Sequence, residues 1–425
     1  MKKTTLFYTL LLLASISTTG WAEDRLPVAN QMIKAVHYFA DAWPITFWQE
    51  FEESRVDSDI QRIKRDGFNT VILAVPWMGF ETGFSARKTT SDARLYQRLD
   101  LLLQKLSEAG LGYILRVGYL HTFTPGLDTD NEQLCLGMYS SDVTRGQWKD
   151  YLRKLRRITN QHRKALRAIL ISWEDFWCVH TAPANTTEDE RKSLAAQLQY
   201  GDWLQTQDQN MIRILMGENR IDFSEVAVPT REESAYYLYM KFTSELLDGK
   251  IVPATQSVFP QAAMEVRVDR DWVETHKGKI WIENNLFPEE KNLRGTYWAP
   301  FWNAANVAEQ LTAEQALFNL GEFLNYVTDG GASTRHVIEQ FNFFDNTPHY
   351  LDNARITASS IPAFLEGAAP LISEFSAGYG LWAYQDYVDN ALYNASFEFG
   401  LDGWAVTGRA DVLNGAGESL SLIHI

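Results

Sequence analysis

Several features that would mark a nucleic-acid-binding protein or a metalloprotein are missing from this sequence. Acidic residues outnumber basic ones by 54 to 39, so the 425-residue chain has a formal charge of −15 and no basic excess for nucleic acid or anionic membranes. No zinc-binding pattern and no GxSxG turn of a serine hydrolase occur. The sequence therefore predicts no metal and no other cofactor, and it favours a neutral substrate over a polyanionic one.

Long apolar runs are also scarce, and the run that stands out lies at the N-terminus. Lys2 and Lys3 precede LFYTLLLLASI, and small residues precede a predicted cleavage point after Ala22. This pattern predicts a signal peptide over residues 1–22. An uncleaved anchor is disfavoured, because a spanning helix needs roughly 20 apolar residues. We expect an exported protein, periplasmic or secreted, with no membrane contact after cleavage and an oligomeric state that the sequence does not define.

Cysteine is rare as well, with Cys135 and Cys178 as the two in the chain. Two cysteines in an exported protein predict one disulfide, and two separate buried thiols are the alternative. The bond would close a loop of about 43 residues, which could stabilise the fold by on the order of 4 kcal/mol.

What the chain does contain is an alternation of apolar strands and amphipathic helices over residues 30–390. Hydrophobic residues make up 45% of the chain, which is enough for a large core. Eight strand-then-helix units predict an α/β protein with a (β/α)8 TIM barrel. An open doubly wound sheet is the alternative, but no glycine-rich phosphate turn follows the first strand. The predicted strands are 34–39, 68–77, 111–119, 166–175, 263–269, 278–285, 334–342 and 379–386.

The C-terminal stretch differs in composition from the predicted barrel. In residues 391–425, aromatic residues and glycines alternate with turn residues, as in LYNASFEFGLDGWAV, which indicates β structure. About 30 residues cannot close a β-sandwich. This segment is therefore predicted to be the truncated start of a second, β-rich domain.

Polar and aromatic residues stand where the predicted barrel strands end. Active sites of this barrel type lie at the C-terminal ends of the strands, so these side chains are candidates for substrate binding. Core packing is the alternative for each aromatic residue, and a structural ion pair is the alternative for each arginine. The candidates are His37, Trp77, Arg116, Tyr119, Trp173, Arg267, Asn284, Asn342 and Trp382.

Two glutamates at the predicted ends of strands four and seven suggest a specific chemistry. Carboxyl groups about 5 to 5.5 Å apart are what a retaining glycosidase needs, one as proton donor and one as nucleophile. Aromatic neighbours would raise the pKa of the acid by desolvation. This assigns Glu174 as the acid/base and Glu339 as the nucleophile, with Glu283 as the rival nucleophile and loop or ion-pair roles as the structural alternative.

Four short segments resemble the large clan of retaining β-glycosidases with a (β/α)8 barrel, which includes cellulase-like and β-galactosidase-like families. They are ISWED, QYGDWLQTQ, HVIEQFNFFDNTP and GLWAYQDY. The resemblance implies that Trp382 floors the −1 sugar site. Trp173 departs from it, because the clan usually has an asparagine there that binds the sugar 2-hydroxyl; Asn284 or Asn342 could take that role. The tail resembles the first strand of a carbohydrate-binding β-sandwich.

These observations together predict an exported retaining β-glycosidase that acts on a neutral glycan, in particular a polysaccharide. A transglycosylase would use the same residues. The alternative from another class is a non-catalytic polysaccharide-binding barrel that serves exopolysaccharide export or anchoring. Both hypotheses name a carbohydrate as the partner.

Overall fold

The structure is a computed structural model of the chain. It describes residues 31–42, 44, 46–82, 89–118, 131–171, 179, 187–217, 221–230, 232–266, 270–275, 278–283, 293–306, 308–328, 336–344, 353–385, 411–413 and 422–424. The predicted signal peptide lies outside this part of the chain and stays a prediction. Among the described residues, no helix combines the length and the apolar character that crossing a membrane would need.

Eight parallel strands form a nearly closed barrel whose strand order follows the order of the chain. The first strand pairs with both the second and the eighth, and the fifth consists of two short segments that pair with the fourth and the sixth. The predicted (β/α)8 fold is thus confirmed. The strands are β1 Ile33–His37, β2 Thr70–Ala74, β3 Gly112–Arg116, β4 Leu166–Leu170, β5 Ala262–Ala263 with Glu265–Val266, β6 Arg294–Trp298, β7 His336–Phe341 and β8 Gly378–Leu381.

Helices cover the outside of the barrel, and their ends follow local sequence signals. Capping boxes at Thr187 and Thr312 begin two of them, and Gly110, in the left-handed conformation, ends a third. The α-helices are Glu53–Arg65, Trp77–Phe80, Ala93–Ala109, Asn131–Ser140, Asp142–Gln161, Glu188–Leu198, Tyr200–Thr206, Gln209–Met216, Tyr236–Leu246, Val252–Gln256, Ala313–Val327 and Ile361–Phe375. A π-helical turn, Leu247–Ile251, and a 3-10 turn, Ala358–Ser360, complete them.

Strand alternation separates two apolar regions. In β3, Tyr113 and Leu115 point outward into the main core beneath the helices, whereas Ile114 points inward. Inward side chains from several strands fill the barrel as a dry plug, as expected for this fold. They are Ile33, Ala35, Ile72, Ile114, Ala168, Leu170 and Val337.

The prediction for the sixth barrel strand was wrong. Gly278–Glu283 pairs antiparallel with Arg270–Thr275 in a separate hairpin, and the barrel strand is Arg294–Trp298. Trp298, the last residue of this strand, is fully buried. Both segments carry the apolar pattern of a strand, and that pattern does not distinguish a barrel strand from a hairpin strand. Glu283 therefore does not end a barrel strand, which removes the basis for its role as rival nucleophile.

Short two-stranded ribbons occur in addition to the barrel, and one belongs to the predicted C-terminal segment. Asp411–Leu413 pairs antiparallel with Leu422–His424. The other ribbons join Glu81–Thr82 to Thr90–Ser91 and Gln310–Leu311 to Arg355–Ile356. The division of the chain into domains 1–22, 30–390 and 391–425 stays a prediction.

Candidate active site

Four polar side chains from the odd-numbered strands meet inside the barrel near the C-terminal ends of those strands. They are His37 from β1, Arg116 from β3, Glu265 from β5 and Glu339 from β7, and each is at most 2% exposed. Barrels of this type fill their interior with layers of four side chains from alternate strands. This layer is charged, whereas the interior residues beneath it are apolar.

Arg116 connects the layer. Its Nε donates to Glu339 Oε2 at 2.6 Å, and its Nη2 donates to Glu339 Oε1, so the two side chains form a bidentate pair. The same Nη2 lies 3.3 Å from Glu265 Oε1 and 3.3 Å from Gln340 Oε1. Bidentate guanidinium–carboxylate pairs fix orientation as well as charge. One guanidinium therefore holds two buried carboxylates, and Glu339 is held in a single orientation.

A β-bulge in β7 lets two consecutive residues, Glu339 and Gln340, face the barrel interior. Thr296 of β6 pairs with Ile338, but the next residue, Tyr297, pairs with Gln340, so Glu339 is the extra residue on its strand. Bulges locally bend a strand and redirect a side chain. As a result, the consecutive residues Glu339 and Gln340 both contact Arg116, which regular alternation would prevent.

The neighbouring strands leave room for this arrangement because each has a glycine beside Glu339. A Cβ on Gly295 of β6 would lie 2.6 Å from Glu339 Cγ, and a Cβ on Gly380 of β8 would lie 2.6 Å from the Glu339 carbonyl oxygen. Cβ atoms do not approach other atoms that closely, so both positions favour glycine.

His37 contacts the backbone of Glu339. Its Nε2 lies 2.8 Å from the Glu339 carbonyl oxygen, which can only accept, so Nε2 carries the proton. Burial, together with the charge of Arg116, lowers the pKa of His37 well below its usual value. The imidazole is therefore neutral, and its 4.0 Å distance to Glu339 Oε2 is not an ion pair.

Two further candidates lie next to this layer. Trp382, directly after β8, is half-buried and packs on His37 and Phe39 with ring centroids 4.8 and 5.1 Å apart. Asn342, directly after β7, donates its backbone N–H to the Trp298 carbonyl at 2.8 Å. Among the described residues, none forms a hydrogen bond with the buried Oδ1 atom of Asn342, which can accept one. Both side chains sit where the strand-end prediction expected them.

Trp77 does not fit its predicted role as a sugar platform. It is fully buried at the start of the helix Trp77–Phe80 and packs on Trp148 and Tyr151, with ring centroids 5.1 and 6.2 Å apart. A stacking platform needs an exposed ring face, and the face of Trp77 belongs to the core outside the barrel. Trp77 is therefore a core residue, as the alternative interpretation of the aromatic candidates had it.

The other predicted site residues lie outside the described part of the chain. These are Tyr119, Trp173, Glu174, Cys178, Arg267 and Asn284. Cys135, in the helix Asn131–Ser140, is disulfide-bonded. The pairing of Cys135 with Cys178 stays the prediction that it was.

Two residues that contact Arg116, Glu265 and Gln340, were missed by the sequence analysis. The fifth strand was expected to extend to residue 269, which directed attention to Arg267, whereas β5 ends at Val266 and contributes Glu265. A glutamate between the apolar residues Met264 and Val266 was the available signal, because a charge inside a buried strand requires a partner. Gln340 was missed because the bulge that turns it inward has no sequence signature.

Among the described residues, no group of three or more His, Cys, Asp or Glu side chains is arranged to hold a metal ion. The chemistry that the described layer can supply is that of a fixed, dry carboxylate. Glu339 has one strong cationic partner and apolar residues beneath it, and a buried carboxylate of this kind can act as a nucleophile.

No protein-family profile and no curated protein matches this chain. Solved structures match over 83% of it, among them an exo-beta-1,4-mannosidase from Opitutaceae bacterium strain TAV5, with 16% identity, 52% of that chain covered and a TM-score of 0.49. An endoglucanase matches with 12% identity, 89% coverage and a TM-score of 0.43. Cel5A of Thermotoga maritima matches with 9% identity, 90% coverage and a TM-score of 0.44. The chain spans about half the length of the mannosidase. These likenesses concern the fold, which the strand pairing establishes independently.

Proposed function

We propose that the protein is an exported retaining β-glycosidase, periplasmic or secreted, that hydrolyses O-glycosidic bonds in a neutral polysaccharide. The observation that supports this most is the placement of Glu339. It lies near the C-terminal end of β7, it faces the barrel interior beside a bulge, and Arg116 holds both of its oxygens. Building a bulge, two glycine contacts and a buried ion pair around one carboxylate is costly for a protein unless the carboxylate has a function.

The proposed reaction has two steps. A Glu339 oxygen bonds to the anomeric carbon while the bond from that carbon to the leaving oxygen breaks. The leaving oxygen keeps the electron pair of the broken bond and takes a proton from Glu174, which becomes a carboxylate. Glu174 then removes a proton from water, which attacks the anomeric carbon and releases the Glu339 carboxylate. Arg116 orients Glu339 in the resting enzyme through its two hydrogen bonds. Glu174 enters this scheme from the sequence pattern and the clan resemblance.

The remaining candidates are proposed to bind the sugar. Trp382 would floor the −1 site, as the clan resemblance implies, and the buried Oδ1 of Asn342 would accept a hydrogen bond from a sugar hydroxyl. His37 holds the Glu339 backbone and is neutral, so it does not compete with Arg116 for the carboxylate. Tyr119, Trp173, Arg267 and Asn284 stay substrate-binding candidates from the sequence.

One observation favours the non-catalytic alternative. Glu339 is 0% exposed, and its ion pair with Arg116 would also suit a purely structural role in a polysaccharide-binding barrel. A nucleophile must be reached by the anomeric carbon, so the glycosidase proposal requires that substrate binding opens a path to this layer. The two functions therefore differ in whether the Glu339 carboxylate can be modified by a substrate.

The deciding experiment compares the native protein with Glu339→Gln and with Glu81→Gln, a matched control in which another fully buried glutamate is changed outside the barrel. The substrates are β-glucan, mannan, galactan and biofilm polysaccharides, together with 2,4-dinitrophenyl β-glycosides. We expect turnover by the native protein and the control, and a loss of about 10⁴-fold or more in Glu339→Gln. Glu174→Gln should retain slow cleavage of the dinitrophenyl substrates, with azide restoring the rate.

Mass spectrometry after incubation with 2-deoxy-2-fluoro glycosyl fluorides should find a sugar attached to the peptide that contains Glu339. Polysaccharide binding by the native protein without turnover, and without this adduct, would instead establish the non-catalytic function.

A further inference from the structure

We infer that Tyr384 is a positioning residue that holds Trp382, the proposed floor of the −1 sugar site, in place from outside the barrel. This inference rests on the proposed function and extends it to a residue that the two-glutamate mechanism does not use. Tyr384 acts through the short segment 382–385, which follows β8, and not through the substrate.

The backbone of this segment is anchored at the end of β1. The N–H of Tyr384 donates to the His37 carbonyl at 2.9 Å, and the Trp382 ring packs on the His37 ring with centroids 4.8 Å apart. The Nε2 of His37 in turn donates to the Glu339 carbonyl at 2.8 Å. His37 therefore links the segment to the strand that carries the proposed nucleophile, and a shift of the segment would move the Trp382 ring relative to Glu339.

The side chain of Tyr384 is held by the end of the helix Glu53–Arg65 and by the turn that follows it. Its hydroxyl donates to Asp66 Oδ2 at 2.7 Å, its ring meets Phe68 edge-on with centroids 6.3 Å apart, and the Arg62 guanidinium carbon lies 6.0 Å from its ring centre. Desolvation and the hydrogen bond to Asp66 raise the pKa of Tyr384 to about 12, so the hydroxyl stays a donor at neutral pH. Because a tyrosine side chain is rigid, a fixed hydroxyl restricts the backbone of the segment.

The same helix contacts the next residue of the segment and braces the contact with Tyr384. Arg55 Nη2 lies 3.4 Å from Gln385 Oε1, and the fully buried Asp59 accepts a hydrogen bond from Arg62 Nη2, which fixes the guanidinium that faces the tyrosine ring. The chain leaves the barrel sheet after β8 ends, so side-chain contacts of this kind take over from strand pairing in holding it. Side chains from one helix therefore reach two consecutive residues of the segment that carries the proposed sugar floor.

The first experiment observes Trp382 directly, by fluorine NMR of the full-length protein labelled with 5-fluorotryptophan. The resonance of Trp382 is the one that disappears in Trp382→Phe. In Tyr384→Phe, which removes the hydroxyl and keeps the ring, we expect this resonance to shift or broaden, because the segment loses its outer anchor. Asp66→Ala removes the acceptor of the same hydrogen bond, so it should give the same change, and combining the two substitutions should add nothing further.

The second experiment measures turnover of 2,4-dinitrophenyl β-glycosides of glucose and mannose. Tyr384→Phe should lower kcat/KM by about 2- to 10-fold, which corresponds to the loss of one hydrogen bond that orients a ring in contact with the sugar. In a Trp382→Ala background the same substitution should leave kcat/KM unchanged, since Tyr384 acts through Trp382. A residue that only stabilised the fold would lower the melting temperature and would show no such dependence on Trp382.

Tyr96→Phe is the matched control. Tyr96 is also half-buried, and its hydroxyl donates to a carboxylate oxygen, Glu81 Oε1, at 2.5 Å outside the barrel. We expect Tyr96→Phe to lower the melting temperature at least as much as Tyr384→Phe, while the Trp382 resonance and kcat/KM stay as in the native protein.

The outcomes separate this inference from the proposed function. If the native protein turns over no substrate, the glycosidase proposal fails, and the Trp382 resonance still decides whether Tyr384 positions this ring. If the resonance is unchanged in Tyr384→Phe and in Asp66→Ala, the role of Tyr384 is overturned. An equal fall of kcat/KM with and without Trp382 would overturn it as well. If Tyr384→Phe fails to fold, Asp66→Ala, at the exposed end of the helix, decides both measurements in its place.

Discussion

Two fully buried glutamates, Glu81 and Glu339, are paired with a cation in opposite ways. Glu81 lies outside the barrel, where Lys154 Nζ donates to both of its oxygens at 2.7 and 2.8 Å. Hydroxyl groups of Tyr96, Thr89 and Ser91 add donors at 2.5, 2.7 and 3.2 Å. Inside the barrel, one guanidinium serves Glu339 and Glu265 together.

The two clusters differ in how many carboxylates share the cation: Lys154 pairs with Glu81, whereas Arg116 pairs with both Glu339 and Glu265. Burial by itself would raise the pKa of Glu81, but the hydrogen bonds from Lys154, Tyr96 and Thr89 outweigh it and lower the pKa. The outer cluster is thus arranged for stability. The inner cluster instead joins two buried carboxylates through one guanidinium, and charged groups brought together in this way are common at functional sites.

The largest expected effect comes from removing each cation. Arg116→Met should destabilise the protein by about 3–5 kcal/mol, because it leaves two buried carboxylates without their shared partner. Lys154→Met should cost clearly less, since hydroxyl donors remain on Glu81. Urea unfolding of both variants at pH 7 measures the loss in the free energy of unfolding, and equal losses would contradict this difference between the two clusters.

Neutralising one glutamate in each cluster should give different losses of stability. Glu81→Gln should cost about 1–3 kcal/mol, because it mismatches donors that face a carboxylate. Glu265→Gln should cost less, since Arg116 keeps its bidentate partner. Thermal melts of the two variants test this, and a larger stability loss in Glu265→Gln would reverse the comparison.

Adding a methyl group beside the inner cluster should separate tight packing from free space. Gly295→Ala would place its Cβ 2.6 Å from Glu339 Cγ and 3.0 Å from a methyl of Leu170, so we expect a loss of about 1–3 kcal/mol and a lower kcat. Gly321→Ala is the control, because it lies inside the helix Ala313–Val327 with no atom within 4 Å of the added Cβ. It should gain about 0.5–1 kcal/mol in urea unfolding with unchanged rates.

The smallest expected effect is on the pH dependence of stability. His37 is neutral when buried, so the native state should lose stability as the pH falls below about 6.5, where the unfolded histidine binds a proton first. Glu81, with its lowered pKa, should weaken the fold only below about 4.3. Burial also lowers the pKa of His336, to about 3, so His336 contributes to the same early loss of stability. Urea unfolding between pH 7 and pH 3 should therefore show an earlier slope that His37→Gln reduces and a later one that Glu81→Gln reduces. A single slope unaffected by His37→Gln would contradict the assignment of a neutral imidazole.

The sequence was sufficient for the barrel where strands are continuous apolar runs between helices with clear ends. β2 and β3 are of this kind, and alternation along β3 puts Arg116 and Ile114 on the same face. It was not sufficient for β6, where Arg294 and Gly295 interrupt the pattern. The hairpin strand Gly278–Glu283 fits the apolar pattern of a barrel strand better than Arg294–Trp298 does, so the pattern indicates the wrong segment.

The site was predictable to the extent that it follows from strand ends. Arg116 and Glu339 end or nearly end strands, and strand order brings β3 and β7 to one interior. Glu265 and Gln340 depend on contacts made after folding. The bulge at Glu339 arises from the fit of β7 against β6, and a local pattern carries no record of such a fit.

The divided β5 has a consequence for how a large substrate could enter. Met264 separates two short segments, each joined to a single neighbour through two residue pairs, so the wall has a seam between β4 and β6. Glu265 sits on that seam and is tied to β3 across the lumen through Arg116. A polymer that broke the contact between Arg116 and Glu265 would widen the barrel at β5, while the other seven strands kept their hydrogen bonds.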